Sequence, residues 1–306
     1  MNPLKNLKPV LLGLSIFLML SGCSPKTSPL ATKQPGKIVF VSDQDGDYEL
    51  YIMNVDGTGQ RNLTKNPASD WFPTHSPDGK QIAFTSDRDG EVPIYDRRIY
   101  VMNIDGSNLK QIPETAGGFP SWSPDGKQIA FACKLDDSPA SKVRDVCVIN
   151  IDGTGKTTLT HDKTFDGYPN WSPDGTKIVY GCYHDGNNDD VCIMNADGSE
   201  HRRLIEDPAK DGCAEWSPDG SRILFGSDRT GTLQLYLVNP DGSNLVQLTK
   251  GTTHEGCGSW SPDGSKIVFS SWRDGHSEIY VMNADGSEQV RLTNGIVNND
   301  SPIWVP

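Results

Sequence analysis

Four carboxylates stand at a fixed distance from an aromatic motif. Five residues before each tryptophan of the chain's recurring Trp-Ser-Pro-Asp-Gly, or before the residue that replaces it, the copies read Asp70, Gly117, Asp166, Asp211, Glu255 and Asn299, with Asp300 next to the last. Hard oxygen ligands contributed by several segments suit Ca²⁺, and like charges held close together raise one another's pKa. Asp70, Asp166, Asp211, Glu255 and Asp300 are therefore the candidate metal ligands if the fold gathers them. His254 beside Glu255 is the best residue pair for acid–base chemistry, and a Ca²⁺-dependent hydrolase or lyase is the enzymatic alternative it allows. No Gly-x-Ser-x-Gly elbow and no His-Glu-x-x-His is present, so no residue is assigned a catalytic role.

Whether those carboxylates meet depends on the elements that carry them, and those elements repeat. Ser-Pro-Asp-Gly starts at Ser76, Ser123, Ser172, Ser217 and Ser261, with spacings of 47, 49, 45 and 44 residues. Asn-x-Asp-Gly starts at Asn54, Asn103, Asn150, Asn195, Asn239 and Asn283. In both turns Pro or Asp sets the corner and Gly accepts a positive φ, which makes them structural punctuation. Gly153-Thr154-Gly155-Lys156-Thr157 is thus the third copy of a turn and not the tail of a phosphate loop.

Between the turns lie short alternating runs such as Lys266–Ser270 and Glu278–Met282, read as half-buried strands. A further short strand ends in Leu-Thr at Leu63, Leu159, Leu248 and Leu292. Each unit supplies four strands, named A (leading into Trp-Ser-Pro-Asp-Gly), B, C and D. Sheets of four antiparallel strands repeated at this period predict an all-β fold, a six-bladed β-propeller over residues 37–306. The first unit begins at strand B with Lys37-Ile38-Val39-Phe40, and the chain ends with a spare strand A, Asp300-Ser301-Pro302-Ile303-Trp304. The C-terminal strand is expected to complete the first blade and close the ring.

In such a ring the A strands line a channel, the D–A and B–C connections share one face, and the A–B and C–D turns share the other. The carboxylates would then surround one channel mouth. The B–C connections vary most, at Asp87–Arg98, Lys134–Asp145 and His184–Asp190, which suits recognition. Arg97, Arg98, Lys142 and Arg144 are expected to make a local positive region there. Asp43-Gln44-Asp45-Gly46-Asp47 has its Gly too early for an EF-hand loop and reads as a hairpin turn. His75, at a strand A Trp position, is expected to be packed.

The unit Trp-Ser-Pro-Asp-Gly-x-x-Ile-x-Phe, followed by Ser-Asp-Arg-(Asp/Thr)-Gly and Tyr-x-Met-Asn-x-Asp-Gly, resembles the propeller repeat of the TolB family over about residues 37–306. The resemblance implies an exported, non-enzymatic propeller that docks other envelope proteins. Two departures limit what it implies. No α/β domain stands before the propeller in this sequence, and the N-terminal segment carries a lipidation signal, so a place in the Tol-Pal machine is not carried over.

That signal is read from residues 1–22. Lys5 and Lys8 precede an apolar run from Val10 to Leu20, too short to span a bilayer as a helix. It closes on Leu20-Ser21-Gly22-Cys23, which resembles the bacterial lipoprotein cleavage box with Cys23 as the acylated residue. Residues 23–36, the lipidated Cys and a stretch rich in Pro, Ser and Thr, read as a tether. The expected location is the cell envelope, with membrane contact through the lipid alone. The chain holds 28 Lys+Arg against 40 Asp+Glu, and removing the signal leaves 26 against 40. Such acidity disfavours phosphate backbones, so no nucleic-acid partner is expected. The expected partner is an envelope protein or a surface polymer, bound by a monomer.

Six further cysteines would reside in a compartment that permits disulfides, and spacing alone allows 15 pairings. Aligning the repeats narrows them. Cys133 and Cys182 take the strand B position of Ser42, Ser86, Ser227 and Ser271, while Cys147 and Cys192 take the strand C position of Tyr51, Tyr100, Tyr236 and Tyr280. Both positions change together in the same two units, which predicts Cys133–Cys147 and Cys182–Cys192. Cys213 and Cys257 replace the strand A residues Phe72, Phe119 and Tyr168. A bridge there would join adjacent blades near the axis; the alternative is two free buried thiols.

Overall fold

Every repeat of the sequence forms one antiparallel sheet of four strands, and six sheets follow one another along the chain. The computed structural model describes residues 36–90, 96–134, 143–161, 164–184 and 188–306. The signal segment, Cys23, most of the tether and Lys142 lie outside the described residues. The A strands start at Asp70, Gly117, Asp166, Asp211, Glu255 and Asn299, and each packs against the next around a closed ring, so the sheets are the blades of a β-propeller.

Blade 1 is built from both ends of the domain. Its A strand, Asn299–Val305, pairs with its B strand, Lys37–Ser42, in the register Lys37↔Val305 and Ser42↔Asn299. Closure by hydrogen bonding gives blade 1 the same four strands as the others and covers the inner edge of its B strand.

The turns explain their own residues. At Ser76 the hydroxyl donates to the Asp78 carboxylate at 2.7 Å, which also accepts from the Lys80 amide at 3.1 Å, while Gly79 N–H closes the turn on the Ser76 carbonyl at 2.8 Å. These donors hold Asp78 down at about 2. Gly79 has a φ of +68°, which favours glycine. The Asn-x-Asp-Gly turn repeats the device, with Asp56 accepting from the Thr58 amide at 3.0 Å. Leu-Thr has a separate job. The D strands are only two residues long, as at Arg61–Asn62, and the Thr hydroxyl takes the strand C amide that such a short partner leaves over. Leu50 N–H donates to Thr64 at 3.1 Å, and Val146, Leu235 and Ile279 N–H each donate to the equivalent Thr at 2.9 Å.

Strands B and C are buried on both faces, not half-buried as their alternation suggests. In Gln81–Ser86 and Lys266–Ser271 every residue after the first is buried, serines included. The reason is that each blade is sandwiched between two others. Six apolar clusters result, one for each blade-to-blade interface, and each mixes residues of two neighbouring blades. Phe40, Phe84, Phe131, Phe225 and Phe269 occupy one strand B position and are fully buried, each stabilising its interface by about 1.5–3 kcal/mol.

Strand A carries the one irregularity that matters for function. Against strand B its register skips a residue, between Trp71 and Thr74 in blade 2 and at the same place in blades 3 to 6. In blades 2 to 5, and in blade 1 where the same shift occurs, the extra residue takes a left-handed backbone, with φ of 53° at Phe72, 58° at Phe119, 52° at Tyr168, 53° at Cys213 and 47° at Ser301. Such a conformation costs a non-glycine residue about 1 kcal/mol. The bulge residues line the axis of the ring.

Candidate functional site

The strand A carboxylates are buried, and arginines of their own blades occupy three of them. In blade 2, Asp70 pairs in register with Ser86. Arg88, two residues past that serine, donates from Nε to the Ser86 hydroxyl at 2.8 Å and from Nη2 to Asp70 at 2.9 Å. Its guanidinium lies over the Phe84 and Tyr100 rings, 5.3 and 4.6 Å from their centroids. Arg229 repeats this in blade 5 with Ser227, Asp211, Phe225 and Tyr236, and Arg273 in blade 6 with Ser271, Glu255, Phe269 and Tyr280. Burial pushes Asp211 up to about 6 and raises Glu255, outweighing the arginine each one faces.

These contacts tie each of the three acids to an arginine of its own blade, so that the acids stand around the ring without gathering into one cluster. Asp300 accepts from the Ser270 hydroxyl at 2.8 Å and from the Ser301 amide at 2.6 Å, and burial raises its pKa. Asp166 is buried at the start of its strand, opposite Cys182. Among the described residues no group of three or more His, Cys, Asp or Glu comes close enough to hold a metal. Three of the five candidate Ca²⁺ ligands are thus committed to guanidinium groups, and this donor set does not fit a cation that needs 6–8 oxygens. His254 does not join it: its ring accepts from the Leu233 amide at 3.4 Å on the exposed surface, while Glu255 faces Arg273. His75 is packed, with its ring against the Ser76 carbonyl at 2.8 Å, and burial lowers its pKa.

Blades 3 and 4 replace the arginine clamp by a covalent bond. Cys133–Cys147 and Cys182–Cys192 join strands B and C where the other blades place Ser and Tyr. Two residues past these cysteines the sequence has Leu135 and His184 in place of arginine. Blade 1 drops both charges together, with Gln44 at the arginine position and Asn299 at the acid position.

The third disulfide, Cys213–Cys257, ties the A strands of blades 5 and 6 at the axis. Across from it the bulge aromatics of blades 2, 3 and 4 pack with tilted rings, Phe72 against Phe119 at 4.3 Å and Phe119 against Tyr168 at 3.8 Å between centroids. Together with Ser301 and a set of prolines they wall an axial cavity of about 120 Å³. One charged side chain lines it, Glu215, which sequence reasoning missed. Its Oε1 accepts from the Trp260 amide and from the Ser259 hydroxyl of the next blade, both at 3.1 Å. Burial pushes its pKa up to about 7. The signal for it was present: the residue before the motif Trp is otherwise Thr74, Ser121, Asn170, Ser259 or Ile303.

On the face of the B–C connections, the expected positive region is largely neutralised. Arg97 pairs with Asp87 at 2.6 Å, and Asp96 binds both Lys134 at 2.9 Å and Arg144 at 2.6 Å. Arg98 donates to the Asp96 carbonyl at 2.9 Å. Asp43–Asp47 is a hairpin turn closed by Gly46 N–H on the Asp43 carbonyl at 3.1 Å, with Asp45 accepting from Asn62 at 2.9 Å. Exposed apolar side chains remain on this face, Trp272 at 45% and Ile296 at 95% exposure. The chain enters and leaves on the opposite face, because Lys37 pairs with Asn54 and Val305 at the turn end of blade 1.

The family model for the TolB beta propeller domain matches residues 21–116 and 98–255. The Tol-Pal system protein TolB of Geobacter sulfurreducens is 43% identical over 47 residues, 15% of this chain and 11% of that protein. The chain spans 29% of the length of an uncharacterized protein of Agrobacterium fabrum and 14% of a TolB homolog of Chlorobium luteolum, less than a third of each of these curated relatives. Among solved structures, TolB from Acinetobacter baumannii superposes with a TM-score of 0.76 at 20% identity, covering 89% of this chain and 67% of that one. An oligogalacturonate lyase solved with manganese superposes at 0.58 with 18% identity, covering 83% of this chain and 73% of that one. At these identities the structural matches establish the fold, which hosts binding proteins and enzymes alike.

Proposed function

The chain belongs to the TolB beta propeller domain family, and from that premise we propose that it is a lipid-anchored, non-enzymatic propeller that docks another envelope protein on its B–C and D–A face. The observation that carries this reading is the polarity of the ring. The first and last strands of the propeller both meet the Ser-Pro-Asp-Gly face, at Lys37 and Val305, and the opposite face bears the variable connections with exposed Trp272 and Ile296. A tether from Ser24 to Gly36, acylated at Cys23, would reach at most about 45 Å from the membrane and leave that face turned outward.

A relative named for the Tol-Pal system supports a protein partner. Against the alternative, a Ca²⁺-dependent hydrolase or lyase, stands the commitment of Asp70, Asp211 and Glu255 to arginine and of His254 to the Leu233 amide. The test is co-purification from crosslinked membranes. The wild type should retain a stoichiometric protein, Trp272→Asp with Ile296→Asp should lose it, and Lys80→Glu with Lys127→Glu on the turn face should keep it. Retention by the first variant would refute the assigned face. Cys23→Ser should move the protein to the soluble fraction, and an unchanged membrane fraction would refute the anchor.

A further inference from the structure

Glu215 carries a charge that the fold does not need. Asn170 caps the Trp216 amide of the next blade at 3.2 Å, and Ser259 caps the Trp304 amide at 3.4 Å, so a neutral acceptor at this position suffices. Glu215 performs the same task with one carboxylate oxygen. Among the described residues its other oxygen accepts no hydrogen bond and no Lys or Arg pairs with it. A carboxylate kept inside the ring without a counter-charge is unfavourable, which is why its pKa is raised. It lines the same cavity as the rings of Phe72, Phe119 and Tyr168, and the space of about 120 Å³ is well above the ~10–15 Å³ that one water requires. Aromatic faces and one carboxylate are the two groups that recognise an organic ammonium. A metal ion would demand more oxygen ligands than this single acid supplies.

We propose that the axial cavity is a binding site for one ammonium head group, with Glu215 as its counter-charge and the bulge aromatics as its wall. The inference holds whether or not the outer face docks a protein. The ammonium could belong to a free alkylamine or to a lysine side chain of a macromolecule, and the two sources separate by titration.

The Trp260 amide, bonded to Glu215, is the reporter. Its nitrogen–proton correlation is followed by NMR while n-butylammonium chloride or N-acetyl-lysine-methylamide is added at constant ionic strength, with n-butanol as the uncharged control. A saturable shift with at least one amine, absent with n-butanol, is expected, and the tighter of the two identifies the source. Glu215→Gln keeps the cap and should weaken binding at least about tenfold, the scale of one lost charge-assisted contact. Should that variant not fold, Tyr168→Leu should weaken it several-fold through the lost ring face. No saturable shift with either amine, equal response to n-butanol, or unchanged affinity in Glu215→Gln, or in Tyr168→Leu where Glu215→Gln does not fold, would overturn the proposal.

Discussion

Glu215 of blade 5 accepts a hydrogen bond from the backbone N–H of Trp260 in blade 6 at 3.1 Å, and so joins neighbouring A strands through a carboxylate that burial holds at about 7. An acid whose folded pKa lies above its ordinary 4.5 binds more protons folded than unfolded between those values. Its contribution therefore weakens the fold as pH rises from about 4.5 to 7, and the cost is fully present above 7. Glu215→Gln should match the wild type near pH 4 and exceed it by up to about 3 kcal/mol at pH 8 in urea unfolding. Parallel stability curves for the two proteins would contradict the burial of this charge.

The arginine clamp makes a prediction that blade 1 supplies. Arg229→Ala strands the buried Asp211 and should cost about 3–5 kcal/mol. Asp211→Asn combined with Arg229→Gln reproduces the Asn299 and Gln44 of blade 1 and should recover most of that loss. Thermal unfolding of the single and double variants decides, and a double variant no better than the single would show that the two charges are not coupled.

The disulfides should separate by access. Cys133, Cys147, Cys182 and Cys192 are buried between blades, whereas Cys213 and Cys257 line the axial cavity. Mild reduction of the folded protein followed by alkylation should label Cys213 and Cys257 first, as read by peptide mapping. In the chain-entropy view, the sequence separations of 44 and 14 residues make the loss of Cys213–Cys257 worth about 4 kcal/mol, against about 3 for Cys133–Cys147. Simultaneous labelling of all six would contradict the assignment.

Removing residues 299–306 deletes the A strand of blade 1 and exposes the inner edge of Lys37–Ser42. Loss of cooperative melting, with association in light scattering, is expected. An unchanged melt of a monomer would show that the ring does not depend on this closure.

Much of this architecture was legible because turn chemistry repeats. Ser-Pro-Asp-Gly and Asn-x-Asp-Gly mark blade ends whatever lies between them, and the unmatched strands at Lys37 and Asp300 fixed the blade number. The paired replacement of Ser and Tyr by cysteine exposed strand B–C contacts through the repeat alone. The site was less legible. Asp70, Asp211 and Glu255 look like a ring of free carboxylates until the register places each opposite a serine whose next-but-one neighbour is arginine. The covariation was visible, since Gln44 accompanies Asn299, but it carries meaning only once strands A and B are paired. Glu215 escaped because its position varies from blade to blade, and only the cross-blade hydrogen bonds show that the position has one common task.

Site-specific photo-crosslinking in intact cells tests the docking face most directly. A photoreactive residue placed at Trp272, on the face of the B–C connections, should yield one discrete protein adduct, while the same group at Lys127, on the turn face, should yield none. An adduct at Lys127 alone, or at neither position, would contradict the docking of an envelope protein on the outer face.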